Sequence, residues 1–248
     1  MFKLIKYELR GNFLTILGIF IAIIIGNLLL IPKRADWATE AITGFSVILS
    51  IVAITIIFIS SLNLMSKYLH NDSGYLLFTL PQSGTKIILS RIITALIQIN
   101  LVIIVASLGI YLATGVSFSF SFLDYITIKG IRVGIALYLC LNIYLLTFIY
   151  FCMIMGKVAL RNKRVGKIGS FILFILLTIG MFWLESKLRG IFPQSLSVNY
   201  STFFKDIVLR SENVTFIPIN ISNLIFEFLT FAAFFKGSTY MIDNKLDL

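Results

Sequence analysis

The chain has 248 residues, of which 58% are hydrophobic and only 13% are charged, and its mean hydropathy is +0.98. A soluble globule of this length needs more polar surface than that composition provides, so an integral membrane protein is favoured. The net charge of +10 would suggest a nucleic-acid partner for a soluble protein. In a membrane protein, anionic lipid headgroups explain the same charge, and we expect no nucleic-acid partner.

Apolar residues occur in blocks of roughly 18 to 25, the length that crosses about 30 Å of hydrocarbon at 1.5 Å per residue. These blocks predict an all-α polytopic membrane protein, in which one transmembrane domain accounts for residues 1–248. The six predicted transmembrane helices are at about 13–31, 43–62, 92–114, 131–155, 167–184 and 217–235. Six spans place both termini on one side, and 13 of the 21 basic residues then lie on that side. This excess assigns both termini to the cytoplasm.

The segment before the first span has helical periodicity. Phe2, Ile5 and Leu9 recur on one face and basic residues such as Lys3 and Lys6 on another, which predicts a short amphipathic N-terminal helix. Such a helix would lie in the inner membrane interface. An ordinary positively charged flank of a membrane helix remains the alternative. The chain has one histidine and two cysteines about 18 Å apart along one helix, so no metal site is expected.

The connection between the second and third spans carries an unusual amount of apolar sequence. Turn-forming residues at Asp72-Ser-Gly74 and Pro81-Gln-Ser83-Gly84 bracket the run Tyr75–Leu80. This run has more apolar surface than a short cytoplasmic element can bury alone. We therefore expect it to contact a partner protein, with packing on its own membrane domain as the alternative.

The same connection is where a family resemblance appears. The stretch from Tyr68 to Pro81, followed by Lys86-Ile-Ile-Leu-Ser90-Arg91, resembles the corresponding loop of bacterial type 2 ATP-binding-cassette (ABC) permeases. The opening Leu4–Arg10 is also similar to the start of such proteins. The chain departs from the pattern in carrying Asp72-Ser73 where two acidic residues are typical, and Gly84-Thr85 before Lys86.

The resemblance implies a permease subunit of an exporter in the bacterial cell membrane. Two permease chains, identical or paralogous, would each press a cytoplasmic coupling helix into a separate ABC ATPase. ATP and Mg²⁺ would be bound by that ATPase, because this chain has no Gly-x-x-x-x-Gly-Lys-[Ser/Thr] loop and is not expected to be an enzyme. The expected ATPase-coupling residues are Asp72, Gly74, Tyr75, Phe78, Thr79, Leu80 and Pro81. The expected cargo is hydrophobic or amphipathic, such as a peptide, an antibiotic or a lipid.

One carboxylate, Glu227, lies near the centre of the sixth predicted span, where an ionised group is costly unless paired or hydrated. Asn220, Asn223 and Glu227 are three and four residues apart, which predicts one polar stripe on that helix. The stripe would line a translocation path or a contact between permeases, or provide hydrogen bonds between helices. A secondary transporter or channel using Glu227 is the alternative function. An intramembrane enzyme is disfavoured because convergent catalytic groups are lacking.

Overall fold

The computed structural model describes residues 2–70, 83–115, 127–159, 163–199 and 216–244. The α-helices are α1 (Phe2–Gly11), α2 (Phe13–Leu30), α3 (Thr39–His70), α4 (Gly84–Thr114), α5 (Ile128–Ala159), α6 (Lys163–Ile191) and α7 (Ile221–Asn244). A 3₁₀ helix (Ile31–Ala35) follows α2, and two strands, β1 (Ser195–Asn199) and β2 (Phe216–Asn220), precede α7. The described chain is therefore overwhelmingly helical, as the sequence predicts.

Within the part of the chain that the structure describes, five helical segments are long and apolar enough to cross a membrane, and they overlap the first five predicted spans. They are Phe13–Ala35, Thr39–Leu69, Gly84–Thr114, Ile128–Ala159 and Ile168–Ile191. The helix α7, which corresponds to the sixth predicted span, is not among them. Its sequence includes Asn223, Glu227 and Lys236, whose polar side chains lower its mean hydropathy.

Two membrane-crossing helices continue well beyond the apolar blocks that predict them. The helix α3 runs to His70, whereas the predicted span ends at 62, and α4 begins at Gly84, whereas the predicted span begins at 92. At 1.5 Å per residue, the 32 residues of α3 extend about 48 Å, more than the roughly 30 Å of hydrocarbon in a bilayer. At both helix ends that flank residues 71–82, the helix therefore extends farther than is needed to cross the hydrocarbon region.

One compact unit contains α1 to α4. The helical hydrogen bonding continues from α1 into α2 through Asn12, whose N–H donates to the carbonyl of Glu8 and whose carbonyl accepts from Ile16. As a result the two helices share one buried face with spacings of three and four residues. That face comprises Ile5, Glu8, Asn12, Ile16, Ile19, Ile23 and Asn27. The predicted apolar face of α1 is thus only partly right, because Ile5 is buried beside Glu8 while Phe2 is exposed.

The core of this unit is apolar and contains small residues where helices approach one another. Ile16, Ile19 and Ile23 of α2 pack with α3 and α4 residues, namely Ala53, Ile57, Ile99, Val102 and Ala106. Farther along α2, Gly109 of α4 leaves room for Asn27, since a Cβ at Gly109 would lie 2.5 Å from Asn27 Nδ2. The Asn27 side chain donates to the Ile23 carbonyl and accepts from Ser46 of α3. Small residues and interhelical hydrogen bonds of this kind hold helices together in a bilayer.

The C-terminus of α4 is capped by an arginine from the 3₁₀ helix. Arg34 Nε donates to the Ala113 carbonyl at 2.8 Å, and its Nη2 donates to the Leu112 carbonyl. Gly115, with φ of 63°, ends the helix in the left-handed region. A cation at this end is favourable because the final carbonyls of a helix carry partial negative charge.

The second compact unit contains α5 to α7 and the strands β1 and β2. Phe148 and Cys152 of α5 form its core with Phe234 of α7, and aromatic rings from neighbouring positions pack around them. Gly156 of α5 allows close approach to α6, since a Cβ there would lie 2.7 Å from the Ser170 backbone nitrogen. The strands β1 and β2 pair antiparallel, from Ser195 opposite Asn220 to Asn199 opposite Phe216.

Candidate functional site

A buried polar cluster lies where α1, α3 and α4 meet. Arg91 Nε of α4 is 3.2 Å from Glu8 Oε1 of α1, and the two side chains are only 6% and 7% exposed. Thr94 Oγ1 donates a hydrogen bond of 2.8 Å to Glu8 Oε2. The Arg91 guanidinium carbon is 5.3 Å from the centre of the Tyr68 ring of α3, which is a cation–π contact. The cluster therefore links three helices.

Helical spacing explains how each side chain reaches the cluster. Arg91 and Thr94 are three residues apart, so they lie on one face of α4 and both reach Glu8. Glu8 is three residues after Ile5, on the face of α1 that is buried against α4. The contact between Arg91 Nε and Glu8 Oε1 is ionic and does not have hydrogen-bond geometry.

The electrostatics of the cluster are set by its burial. Removing the Glu8 carboxylate from water raises its pKa, while the positive charge of Arg91 and the hydrogen bond from Thr94 act in the opposite direction. Removing one member of a buried ion pair leaves a charge without compensation, at a typical cost of about 3 to 5 kcal/mol. Removing either charge of the cluster is therefore expected to destabilise the packing of α1, α3 and α4.

The cluster lies near the two helix ends that flank residues 71–82 in the sequence. Tyr68 is two residues before the end of α3, and Arg91 is seven residues after the start of α4. The surrounding positions of both helices are buried, namely Leu64, Met65, Leu69, Ile87 and Ile88. Both helix ends that flank the connection are therefore packed within the protein, and α1 contacts the α4 end through Glu8.

The predicted ATPase-coupling residues Asp72, Gly74, Tyr75, Phe78, Thr79, Leu80 and Pro81 all lie outside the described residues. The structure describes only the two helix ends that flank them in the sequence. Their predicted role stays a prediction.

The predicted polar stripe of Asn220, Asn223 and Glu227 does not lie on a single helix in the structure. Asn223 Nδ2 donates to Glu185 Oε1 of α6 at 2.8 Å, and Glu227 is exposed on α7. The prediction that Asn220 lies on this helix is wrong, because Asn220 is the last residue of β2. Phe216–Asn220 instead pairs with β1, so the helix begins one residue later, at Ile221. The role predicted for these three residues is not tested by this arrangement.

The second unit also has an apolar groove between the end of α6 and the start of α7. Its volume is about 310 Å³. Its lining consists of Leu188, Phe192, Gln194, Ile221, Ser222, Ile225, Phe226 and Leu229. Such a lining suits an apolar group rather than a polar ligand. Among the described residues, no group of three or more His, Cys, Asp or Glu side chains could hold a metal ion.

The pairing of Glu8 with Arg91 could not be predicted from the sequence. One signal was available, because Glu8 shares a helical face with Ile5 and Asn12, away from the basic residues of α1. Comparison of the chain with protein-family models, curated proteins and solved structures gives no match.

Proposed function

We propose that the chain is the membrane-spanning subunit of an ATP-driven ABC exporter in a bacterial cell membrane. It would work with a cytoplasmic ABC ATPase and with a second permease chain, identical or paralogous. In this proposal α7 is the sixth span and both termini are cytoplasmic. The basic residues of α1 and the connection 71–82 then lie on the cytoplasmic side, in agreement with the positive-inside rule.

The observation that carries the proposal is the packed extension of α3 and α4. Both helices extend beyond the apolar blocks of their spans, and they flank the connection that includes Tyr75–Pro81. The Glu8–Arg91 pair and the Tyr68 ring join these extensions to α1. A segment joined at both ends to continuous, packed helices can pass a displacement to the spans, which a flexible connection cannot do.

The mechanism follows from this arrangement. ATP and Mg²⁺ bind to the partner ATPase, and closure of the ATPase pair displaces the coupling residues between Asp72 and Pro81. Because α3 and α4 are continuous from that segment through their spans, the displacement reaches the membrane domain and favours its alternative conformation. Cytoplasmic and external access would alternate in this way.

The cargo in this proposal is hydrophobic or amphipathic. The spans present few polar side chains, and the groove between α6 and α7 is lined mostly by apolar residues. Asn223 and Glu227 would lie in the sixth span, along the translocation path or at the contact with the second permease.

The test uses tagged chain purified from native membranes and reconstituted in lipid vesicles with the ATPase that copurifies. We expect Phe78→Asp to abolish the stimulation of ATP hydrolysis by the permease, because a charge would disrupt the apolar contact. Lys129→Gln, a change at an exposed residue of α5, is the control and should retain the stimulation. Stimulation unaffected by Phe78→Asp would contradict the mechanism. Transport driven by a pH gradient without any ATPase would instead support the alternative based on Glu227.

A further inference from the structure

The outward face of α1 combines cations with aromatic rings. Lys3, Lys6 and Arg10 are exposed, as are Phe2 and Tyr7. Among the described residues, none of these three cations forms an ion pair. The one acidic residue of α1 is turned inward to the polar cluster. The outward face therefore presents three positive charges and no negative charge.

This face continues into an exposed apolar surface of α2. Because helical hydrogen bonding passes through Asn12, the residues Lys3, Tyr7, Arg10 and Leu14 follow one another on a single stripe at spacings of four and three. Leu14, in the first predicted span, is 81% exposed. The stripe thus changes from basic to apolar at the point where the chain enters the predicted hydrocarbon region.

We infer that the outward face of α1 binds the phosphate-bearing headgroups of anionic phospholipids in the adjacent leaflet. Arg10, the cation nearest the exposed apolar stripe, lies at about headgroup depth, and Lys6 and Lys3 lie within about one Debye length of the headgroup layer, where each is attracted to an anionic surface. The inward Glu8 is part of this arrangement, because on the outer face its carboxylate would repel the same headgroups. An acidic protein surface is the competing occupant, but the continuity with Leu14 favours lipid.

This inference requires only that the chain lies in a bilayer, and it does not depend on an ATPase partner. The experiment places a fluorescent reporter in the face itself. Trp37 and Trp183 are replaced by Phe, and Phe2→Trp provides the single tryptophan. The purified full chain is reconstituted without any ATPase in phosphatidylcholine vesicles that contain, at equal mole fraction, brominated phosphatidylglycerol or brominated phosphatidylcholine.

We expect brominated phosphatidylglycerol to quench the tryptophan more strongly than brominated phosphatidylcholine, and high salt to reduce the difference. Each neutralised cation should lower the preference by about fivefold, so Lys3→Gln/Lys6→Gln/Arg10→Gln should remove it. The matched control neutralises three exposed cations elsewhere, Lys33→Gln/Lys129→Gln/Arg132→Gln, and should keep the preference.

Equal quenching by the two lipids would overturn the inference, as would a preference that survives in the triple variant of α1. Absence of quenching by either lipid would show that the face lies away from the membrane and would overturn it as well. If the triple variant does not fold, Arg10→Gln alone tests the same point through its salt dependence. Because no ATPase is present, any of these failures leaves the proposed export function untouched.

Discussion

The buried ion pair makes a quantitative prediction for Arg91→Met. Methionine keeps an apolar stem but removes the guanidinium from the Glu8 carboxylate and from the Tyr68 ring. Glu8 then retains the hydrogen bond from Thr94 but has no counter-charge. Breaking a buried pair in this way costs about 3 to 5 kcal/mol of unfolding free energy. We expect that loss in mixed micelles titrated with SDS and followed by tryptophan fluorescence.

The matched control for this change is Arg189→Met. Arg189 Nη2 is 3.5 Å from Glu185 Oε1, one helical turn earlier, and its side chain is 61% exposed. Solvent screens such a pair, so its loss should cost at most about 1 kcal/mol. The double variant Glu8→Gln/Arg91→Met should regain part of the stability lost in Arg91→Met, because no buried charge remains. Equal losses for Arg91→Met and Arg189→Met would refute the reasoning.

Three further predictions concern other contacts. The pKa of Glu8 is raised by burial, so its contribution to stability is complete below the pKa of a free glutamate and is lost as the pH rises through the raised pKa. The unfolding free energy, measured across pH, should therefore fall over that range. Glu8→Gln should show no such fall. Gly156→Ala should cost about 1 to 3 kcal/mol because its Cβ would meet the Ser170 backbone. Gly134→Ala, whose Cβ meets nothing within 4 Å, should leave thermal stability unchanged or raise it, and a loss there would contradict this. Arg34→Gln should cost about 1 kcal/mol at the C-terminus of α4 and speed hydrogen exchange there, whereas unchanged exchange would exclude a capping role.

Hydropathy predicts the first five spans because the bilayer itself dictates their length and composition. It does not predict where helices end outside the hydrocarbon, where helical hydrogen bonding continues through polar residues such as Asn63 and Lys67 of α3. The stripe assigned to the sixth span failed at Asn220 because Phe216–Asn220 pairs with β1. Helical spacing does not reveal such a tertiary pairing, and Pro218 alone does not dictate it, since proline is tolerated in the first turn of a helix.

Helical periodicity alone does not predict the polar cluster. The face of α1 that includes Ile5 follows from helical spacing, but apolar residues alone led to Phe2 being placed on it. The choice between Phe2 and Glu8 depends on Arg91, which lies on a distant segment and approaches only through the packing of α1 on α4. A buried charge pair is a tertiary feature, and each partner alone resembles an ordinary surface residue.

The central claim is that the segment connecting α3 to α4 contacts an ATPase. The most direct measurement is photo-crosslinking in native membranes, with a photoreactive amino acid in place of Phe78 and the crosslinked products identified by mass spectrometry. The account predicts a crosslink to a separate chain that carries a Gly-x-x-x-x-Gly-Lys-[Ser/Thr] loop. Crosslinks formed only within this chain would show that the segment packs on its own membrane domain, and would contradict the account.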